Sequence, residues 1–114
     1  MQKNFSFTAV PDNGVYRITL SGRLTANMDL SGLRNFRADK AIRFYLLDVT
    51  ALERIDSQGT ALFVGLLSMI RNEGGTCHAF GANEIITDLF ELFSLTTMLT
   101  LFADEQSAVR AFTA

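Results

Sequence analysis

Residues 44–71 read FYLLDVTALERIDSQGTALFVGLLSMIR. They begin with an apolar run broken only by Asp48, which is typical of a strand buried on both faces of a partly parallel sheet. From Thr60 to Arg71, apolar side chains recur at helical spacing. Between the two lies a loop that ends in Asp56-Ser57-Gln58-Gly59. The stretch therefore predicts a central strand, a helix, and between them a loop at the end of the sheet where α/β proteins place functional groups.

The residues before this stretch predict a hairpin and a short helix. Residues 5–10 and 15–20 have strand-like patterns and flank the turn sequence Pro11-Asp12-Asn13-Gly14. We expect Gly22 to break the second strand. Apolar side chains spaced by three within residues 24–40 predict one short amphipathic helix.

The residues after it continue the alternation of strands and helices, following a stop signal at Gly74-Gly75. They predict a strand over 76–80, a helix over 84–93 with Asn83 as its N-cap, a strand over 98–102 and a last helix capped by Asp104. Together these elements indicate one α/β domain over residues 1–114. Its sheet is expected to be mixed and mostly parallel, with about five strands and about four helices in the order ββαβαβαβα.

Composition excludes several classes of function. The chain has 114 residues, 48% of them hydrophobic, and a formal charge of −2 with its ten basic residues scattered. This charge predicts no binding to nucleic acid or to an anionic membrane. Because no apolar run is long enough to span a bilayer and no signal peptide is recognisable, we expect a cytoplasmic protein without membrane insertion. The single Cys77 leaves no partner for an intramolecular disulfide, which fits a reducing compartment.

The helix predicted from residue 60 has two faces of different kind. Its core face carries large apolar side chains, which are Phe63, Leu66, Leu67 and Ile70, with Leu62 at the flank. The opposite face, called the outer face below, consists of Ser57, Ala61, Gly65, Ser68 and Asn72, bordered by Val64 and Met69. A solvated face usually carries Lys and Glu, and a glycine inside a helix costs about 0.5–1 kcal/mol relative to Ala. We interpret the outer face as a docking surface; the alternative is that it packs beneath another element of the same domain.

Ser57 is the candidate for regulation. It stands at the predicted start of this helix, where unpaired N–H groups and the helix dipole favour negative charge. A phosphate there would be tolerated by the helix, but its charge of about −1.5 to −2 would be repelled by Asp56. The pair therefore indicates a switch. A hydrolase nucleophile would require Gly-x-Ser-x-Gly and a base, which are absent, and nucleotide binding stays open without a motif that supports it.

No other residue predicts chemistry. His78, the only histidine, lies in a predicted strand beside Cys77 with no further ligand nearby, so we expect a structural role and no metal. Phe90, Phe93 and Phe102 occupy periodic positions, which predicts core packing. We expect no catalytic residue and no cofactor.

The order of these features resembles the STAS domain family, and within it the bacterial anti-sigma factor antagonists. The resemblance rests on Leu46–Thr50, Ile55–Gly59, Gly74-Gly75 and Leu89–Leu95 in the family's order and spacing, and on Gly22-Arg23-Leu24 in the loop after the second strand. It spans nearly the whole chain. Its most specific part is an Asp-Ser-x-Gly sequence that follows a buried strand and a short loop.

The resemblance implies a partner switch. Ser57 matches the serine that is phosphorylated by a partner acting as both serine kinase and anti-sigma factor, and a separate serine phosphatase removes the phosphate. The unphosphorylated form would bind that partner and release a sigma factor. The implied partner-binding residues are Arg23, Thr25, Asp56, Ser57, Gln58, Gly59, Thr60, Ala61, Val64, Gly65 and Ser68. Relatives often carry a second serine at the position of Gln58 and an acidic residue at that of Thr25.

A second function class stays open. STAS-like domains also serve as constitutive assembly subunits of transporter ATPases or of signalling scaffolds. In that case Ser57 would act only as a helix cap and a contact residue.

Overall fold

The protein alternates strands with helices, as the sequence predicts. The computed structural model describes residues 4–113, in which six strands and four α-helices follow the order ββαββαβαβα. The strands are β1 (Phe5–Asp12), β2 (Val15–Leu24), β3 (Phe44–Asp48), β4 (Leu52–Ile55), β5 (Thr76–Phe80) and β6 (Thr100–Phe102). The α-helices are α1 (Ser31–Asn35), α2 (Ser57–Asn72), α3 (Glu84–Leu92) and α4 (Glu105–Arg110). The described residues form a small α/β domain with a mixed sheet, which confirms the predicted fold class.

The N-terminal hairpin forms where expected. Asn13 and Gly14 both have positive φ, 52° and 81°, as a tight two-residue hairpin turn requires. The expectation that Gly22 ends β2 is wrong. The strand continues to Leu24 because Gly22, at φ 85°, accommodates a register irregularity and passes close to the carbonyl of Asn4.

This longer β2 allows a sixth strand. The sheet order is β1-β2-β3-β5-β6, so β3 is central as predicted, and β4 pairs in parallel with the end of β2 that lies beyond β3. From the sequence alone, residues 52–55 are expected to form a loop. Two of these four residues, Glu53 and Arg54, are exposed, so the segment has neither the length nor the apolar pattern by which a strand is recognised.

Side chains from β3 alternate between two apolar layers. Tyr45 and Leu47 face the main core, which α1, α2 and α3 cover, whereas Leu46 faces a smaller cluster beneath α4. Stacking of Phe63 on Phe90, with ring centroids 5.1 Å apart, joins α2 to α3 within the main core. Among the described residues, no helix combines the length and the hydrophobicity that a membrane span needs.

The predicted helix caps are confirmed. The side chains of Asn83 and Asp104 accept hydrogen bonds from the N–H groups of Ile86 and Ser107, at 2.8 Å in both cases. Other boundaries differ. The first helix is only one turn and a half long, and the last strand begins at Thr100 because residues 95–97 form a 3₁₀ turn. The expectation that Phe93 belongs to the core is also wrong, since its side chain is half exposed.

His78 attaches α4 to the sheet. Its ring is buried, lies parallel to that of Phe112 with centroids 4.0 Å apart, and its Nδ1 is 2.8 Å from the carbonyl oxygen of Ala108. An N–H of this ring therefore satisfies a buried carbonyl of the last helix. The histidine has the structural place that the sequence analysis expects.

We expect His78→Phe to lower the free energy of unfolding by about 1–3 kcal/mol, because the aromatic stack is retained while the carbonyl of Ala108 loses its donor. Thr76→Val, at an exposed position of the same strand, should change stability by less than about 0.5 kcal/mol. Urea denaturation of both variants measures the effect. Equal stability of His78→Phe and the unmutated chain would contradict the proposed role of the hydrogen bond.

Candidate functional site

Asp56 caps the helix that carries the candidate serine. It has extended backbone angles, and its Oδ1 accepts a hydrogen bond of 2.8 Å from the N–H of Gly59. The Thr60 hydroxyl donates to the Asp56 carbonyl oxygen at 2.9 Å, which closes the first turn of α2. Ser57 stands at the start of α2, as expected, although the helix begins before the stretch predicted from Thr60. The capping role that the assembly alternative assigned to Ser57 belongs to Asp56.

The same carboxylate holds a second segment. Oδ2 of Asp56 accepts a hydrogen bond of 2.8 Å from the N–H of Ala26, in the loop after β2. These hydrogen bonds, from Ala26 and then Gly59, lower the pKa of Asp56 because they stabilise the charged form. Ala26 cannot be recognised as part of the site from the sequence, since a contact made by a backbone N–H thirty positions away leaves no mark in the residue pattern.

Ser57 displays its hydroxyl at the surface. Its side chain is exposed, as is that of Gln58, and within residues 4–113 the hydroxyl makes no hydrogen bond. It stands beside the ionised carboxylate of Asp56. The arrangement leaves the oxygen accessible to a modifying enzyme or a docked protein.

The outer face of α2 is open. Ala61 and Gly65 are exposed, Val64 and Ser68 are half-buried, and a Cβ added at Gly65 would meet no atom within 4 Å. Only the border is covered, where the Met69 sulfur accepts a hydrogen bond of 3.3 Å from the N–H of Ala38. The alternative that this face packs beneath another element of the domain is therefore wrong for the described residues.

Gly59 is the exception among the predicted contact residues of α2. It is buried, and a Cβ there would collide with the carbonyl oxygen of Leu24 in β2. The glycine lets the helix start approach the strand closely. Its predicted place on the partner-binding surface is corrected to a packing position.

Arg23 and Thr25 lie at the end of β2 but differ in where they point. Leu24 packs under α2, so strand alternation directs Arg23 to the opposite face of the sheet, away from the outer face of α2. Its Nε is buried without a hydrogen-bond partner among the described residues. Thr25 lies next to Ala26 and donates to the Asn27 side chain at 2.7 Å. The structure therefore brings Thr25, and not Arg23, to the segment that Asp56 holds.

Other reactive groups lie elsewhere. Burial raises the pKa of the Cys77 thiol to about 12, so the thiolate that reactive cysteines need is scarce at neutral pH. Among residues 4–113, no group of three or more His, Cys, Asp or Glu side chains could hold a metal ion.

The sequence of this chain matches a known family. The family model of the STAS domain matches residues 12–108. The chain belongs to the STAS domain family. Among solved structures, an anti-sigma factor antagonist from Mycobacterium paratuberculosis superposes with a TM-score of 0.76 at 16% identity, covering 97% of this chain and 96% of that one.

Two further solved structures have a similar fold. The Bacillus cell fate determinant SpoIIAA in its phosphorylated form has a TM-score of 0.64 at 17% identity, with 93% of this chain and 99% of that chain covered. The murine anion transporter Slc26a9 has a TM-score of 0.72 at 12% identity, with 95% of this chain but only 22% of the transporter covered. At these identities the likeness is one of fold.

We expect Asp56→Ala to destabilise this STAS domain by about 1–2 kcal/mol near pH 7 through loss of the cap, with a further loss from the bond to Ala26. Asp56→Asn keeps one acceptor oxygen, and its stability should lie between those of the wild type and Asp56→Ala. Because the folded-state pKa of Asp56 lies below its usual 3.8, the contribution of the charge is fully present above pH about 4 and disappears as the pH falls through the lowered value. Unfolding measured from pH 7 to pH 2 should show the wild type converging on Asp56→Asn; a gap that stays constant would contradict this.

Gly59 and Gly65 allow the same substitution to be compared at a buried and at an exposed position of α2. Gly59→Ala should destabilise the protein by about 1–3 kcal/mol, because the methyl group overlaps the backbone of β2. Gly65→Ala should stabilise it by about 0.5–1 kcal/mol, since the site is open and alanine favours the helix. Thermal unfolding of both variants tests the assignment, which a destabilised Gly65→Ala would refute.

Proposed function

We propose that this STAS domain is a phosphorylation-switched binding protein whose Ser57 controls docking on the outer face of α2. The observation that carries the proposal is the exposed Ser57 hydroxyl at the end of an open helix face without Lys, Arg, Asp or Glu. The proposed partner-binding residues are Thr25, Asp56, Ser57, Gln58, Thr60, Ala61, Val64, Gly65 and Ser68.

Small side chains favour close contact in the unphosphorylated form. Ala61 and Gly65 let the surface of a partner approach the helix backbone, while half-buried Val64 supplies apolar area. A face without charges also has little hydration to lose on binding. Gly65 destabilises the helix relative to alanine, and the close approach of a partner would explain a glycine at this position.

A phosphate on Ser57 would oppose docking without unfolding the helix. The N–H groups and dipole at the start of α2 favour negative charge, so the fold tolerates the modification. A docked partner, however, would have to bury a phosphate dianion beside the Asp56 carboxylate, whose lowered pKa keeps it ionised. Phosphorylation of Ser57 would therefore change partner binding and not the stability of the helix.

The proposed partner is an anti-sigma factor with serine kinase activity, and a serine phosphatase would reset the switch. In this scheme the unphosphorylated protein releases a sigma factor and so regulates transcription in the cytoplasm. Support comes from the fold shared with an anti-sigma factor antagonist and with SpoIIAA, whose structure was solved in a phosphorylated form.

A second candidate is a constitutive assembly subunit without a switch. The observation that favours it is the similar domain within an anion transporter, of which it forms about a fifth. In this case the outer face of α2 would hold a permanent neighbour, and Ser57 would be a contact residue.

The two candidates differ in the response to Ser57 variants. We expect Ser57→Ala to bind the anti-sigma factor within about twofold of the wild type, and Ser57→Asp to bind at least about tenfold more weakly. Surface plasmon resonance with the purified partner measures both, and equal binding would favour the assembly role. Incubation with that partner and ATP, followed by mass spectrometry, should place phosphate on Ser57; phosphate on another residue would reject the switch.

The same binding assay tests the surface with a variant that leaves Ser57 intact. Gly65→Gln places a long neutral side chain on the outer face and should weaken binding about tenfold or more. Thr8→Gln makes a comparable change at an exposed site of β1 and should have no effect. If Gly65→Gln binds like the wild type, docking occurs elsewhere.

A further inference from the structure

Helix α3 exposes large apolar side chains on the side that does not pack on the sheet. Ile85 and Leu92 are 65% and 72% exposed, and Phe93, directly after the helix, is 49% exposed. At about 100° per residue, Ile85 and Leu92 project within about 20° of each other, with half-buried Leu89 next to them. We call Ile85, Leu89, Leu92 and Phe93 the α3 stripe.

An acidic row borders this stripe. Glu84, Asp88 and Glu91 are exposed and share the adjacent arc of α3. The sequence has no Lys or Arg between Arg71 and Arg110, and within residues 4–113 none of the three carboxylates forms an ion pair. None of these three carboxylates is thus neutralised by an ion pair within the described part of the chain.

The position of Glu91 adds to this imbalance. It lies near the C-terminal end of α3, where the helix dipole is negative and a cation is favoured, but the last turn has no basic residue. A carboxylate at this end of the helix is slightly destabilising, whereas a cation would be stabilising. A positive group supplied from outside would pair with Glu91 and with the last carbonyls of the helix at once.

We propose that the α3 stripe binds an amphipathic segment of a partner protein, with apolar side chains over the stripe and Lys or Arg residues along the acidic row. Single exposed apolar residues are normal, but a contiguous group with a polar border marks an interaction surface. The unpaired carboxylates of the acidic row favour a basic partner. A second copy of this chain is a poor occupant, because its own α3 would bring further carboxylates and no Lys or Arg to the contact.

This surface shares no residue with the outer face of α2, and the proposal goes beyond the switch at Ser57. Ser57→Asp should therefore leave binding to the α3 stripe unchanged. The two proposals can fail independently.

Two synthetic helical peptides of about 15 residues test the proposal. One has leucines at i, i+4 and i+7 flanked by lysines, and the other has glutamate in place of each lysine. Fluorescence anisotropy with the full chain should show the lysine peptide binding at least about tenfold more tightly. The double variant Ile85→Ser/Leu92→Ser should weaken that binding about tenfold or more, whereas Val10→Ser, at an apolar side chain of β1 that is 56% exposed, should not.

Charge reversal gives the sharper result. Asp88→Lys/Glu91→Lys should invert the preference, so that the glutamate peptide binds more tightly than the lysine peptide. Circular dichroism should show all variants folded, because the changed side chains are exposed. No difference between the two peptides, or no effect of Ile85→Ser/Leu92→Ser, would overturn the proposal. Self-association of the wild type that this double variant abolishes would overturn it as well, in favour of a second copy.

Discussion

The carboxylate of Asp56 determines how the candidate site is built. One oxygen accepts the N–H of Gly59 and fixes the first turn of α2, while the other accepts the N–H of Ala26 and fixes the loop after β2. A shorter or uncharged side chain could not satisfy both donors as well, since charge-assisted hydrogen bonds are roughly twice as strong as neutral ones. The helix start and the loop therefore form one rigid edge, from which Ser57 projects.

Rigidity at this edge explains how a small modification could have a defined effect. Gly59 packs the start of α2 against the backbone of β2, and the buried side chains of the core face fix the rest of the helix. Ser57 is therefore held at the surface of the domain. A charge added at Ser57 would stay at the surface, on the ridge that the outer face presents. Because the helix end itself favours negative charge, the phosphate would not destabilise the fold. It would instead weaken the binding of a partner that covers the outer face.

Long elements with a clear apolar pattern can be predicted from the sequence. Positions at which two backbone segments approach each other closely cannot. The bounds of β5 and the caps Asn83 and Asp104 follow from apolar runs and cap residues, and the structure has them as expected. Strand β4 was missed because its pairing depends on the irregularity of β2, which no local pattern shows. At the site, Gly59 and Gly65 look alike in sequence, but one is required by contact with β2 and the other faces open space. Only the position of the neighbouring strand distinguishes them.

Charge is distributed unevenly over the helices of this domain, and this has a physical consequence for binding. The outer face of α2 has no ionic side chain, so the proposed docking there would depend on shape and on whether the Ser57 hydroxyl is phosphorylated. In contrast, α3 combines exposed apolar side chains with Glu84, Asp88 and Glu91 and has no nearby cation in sequence. Binding at the α3 stripe, as proposed, would depend on the sign of the charge that the partner brings, and salt would screen this attraction beyond about 10 Å at 0.1 M ionic strength. Ionic strength should thus weaken association at α3 and hardly affect the unphosphorylated surface of α2, which gives the two surfaces physically distinct responses within one small fold.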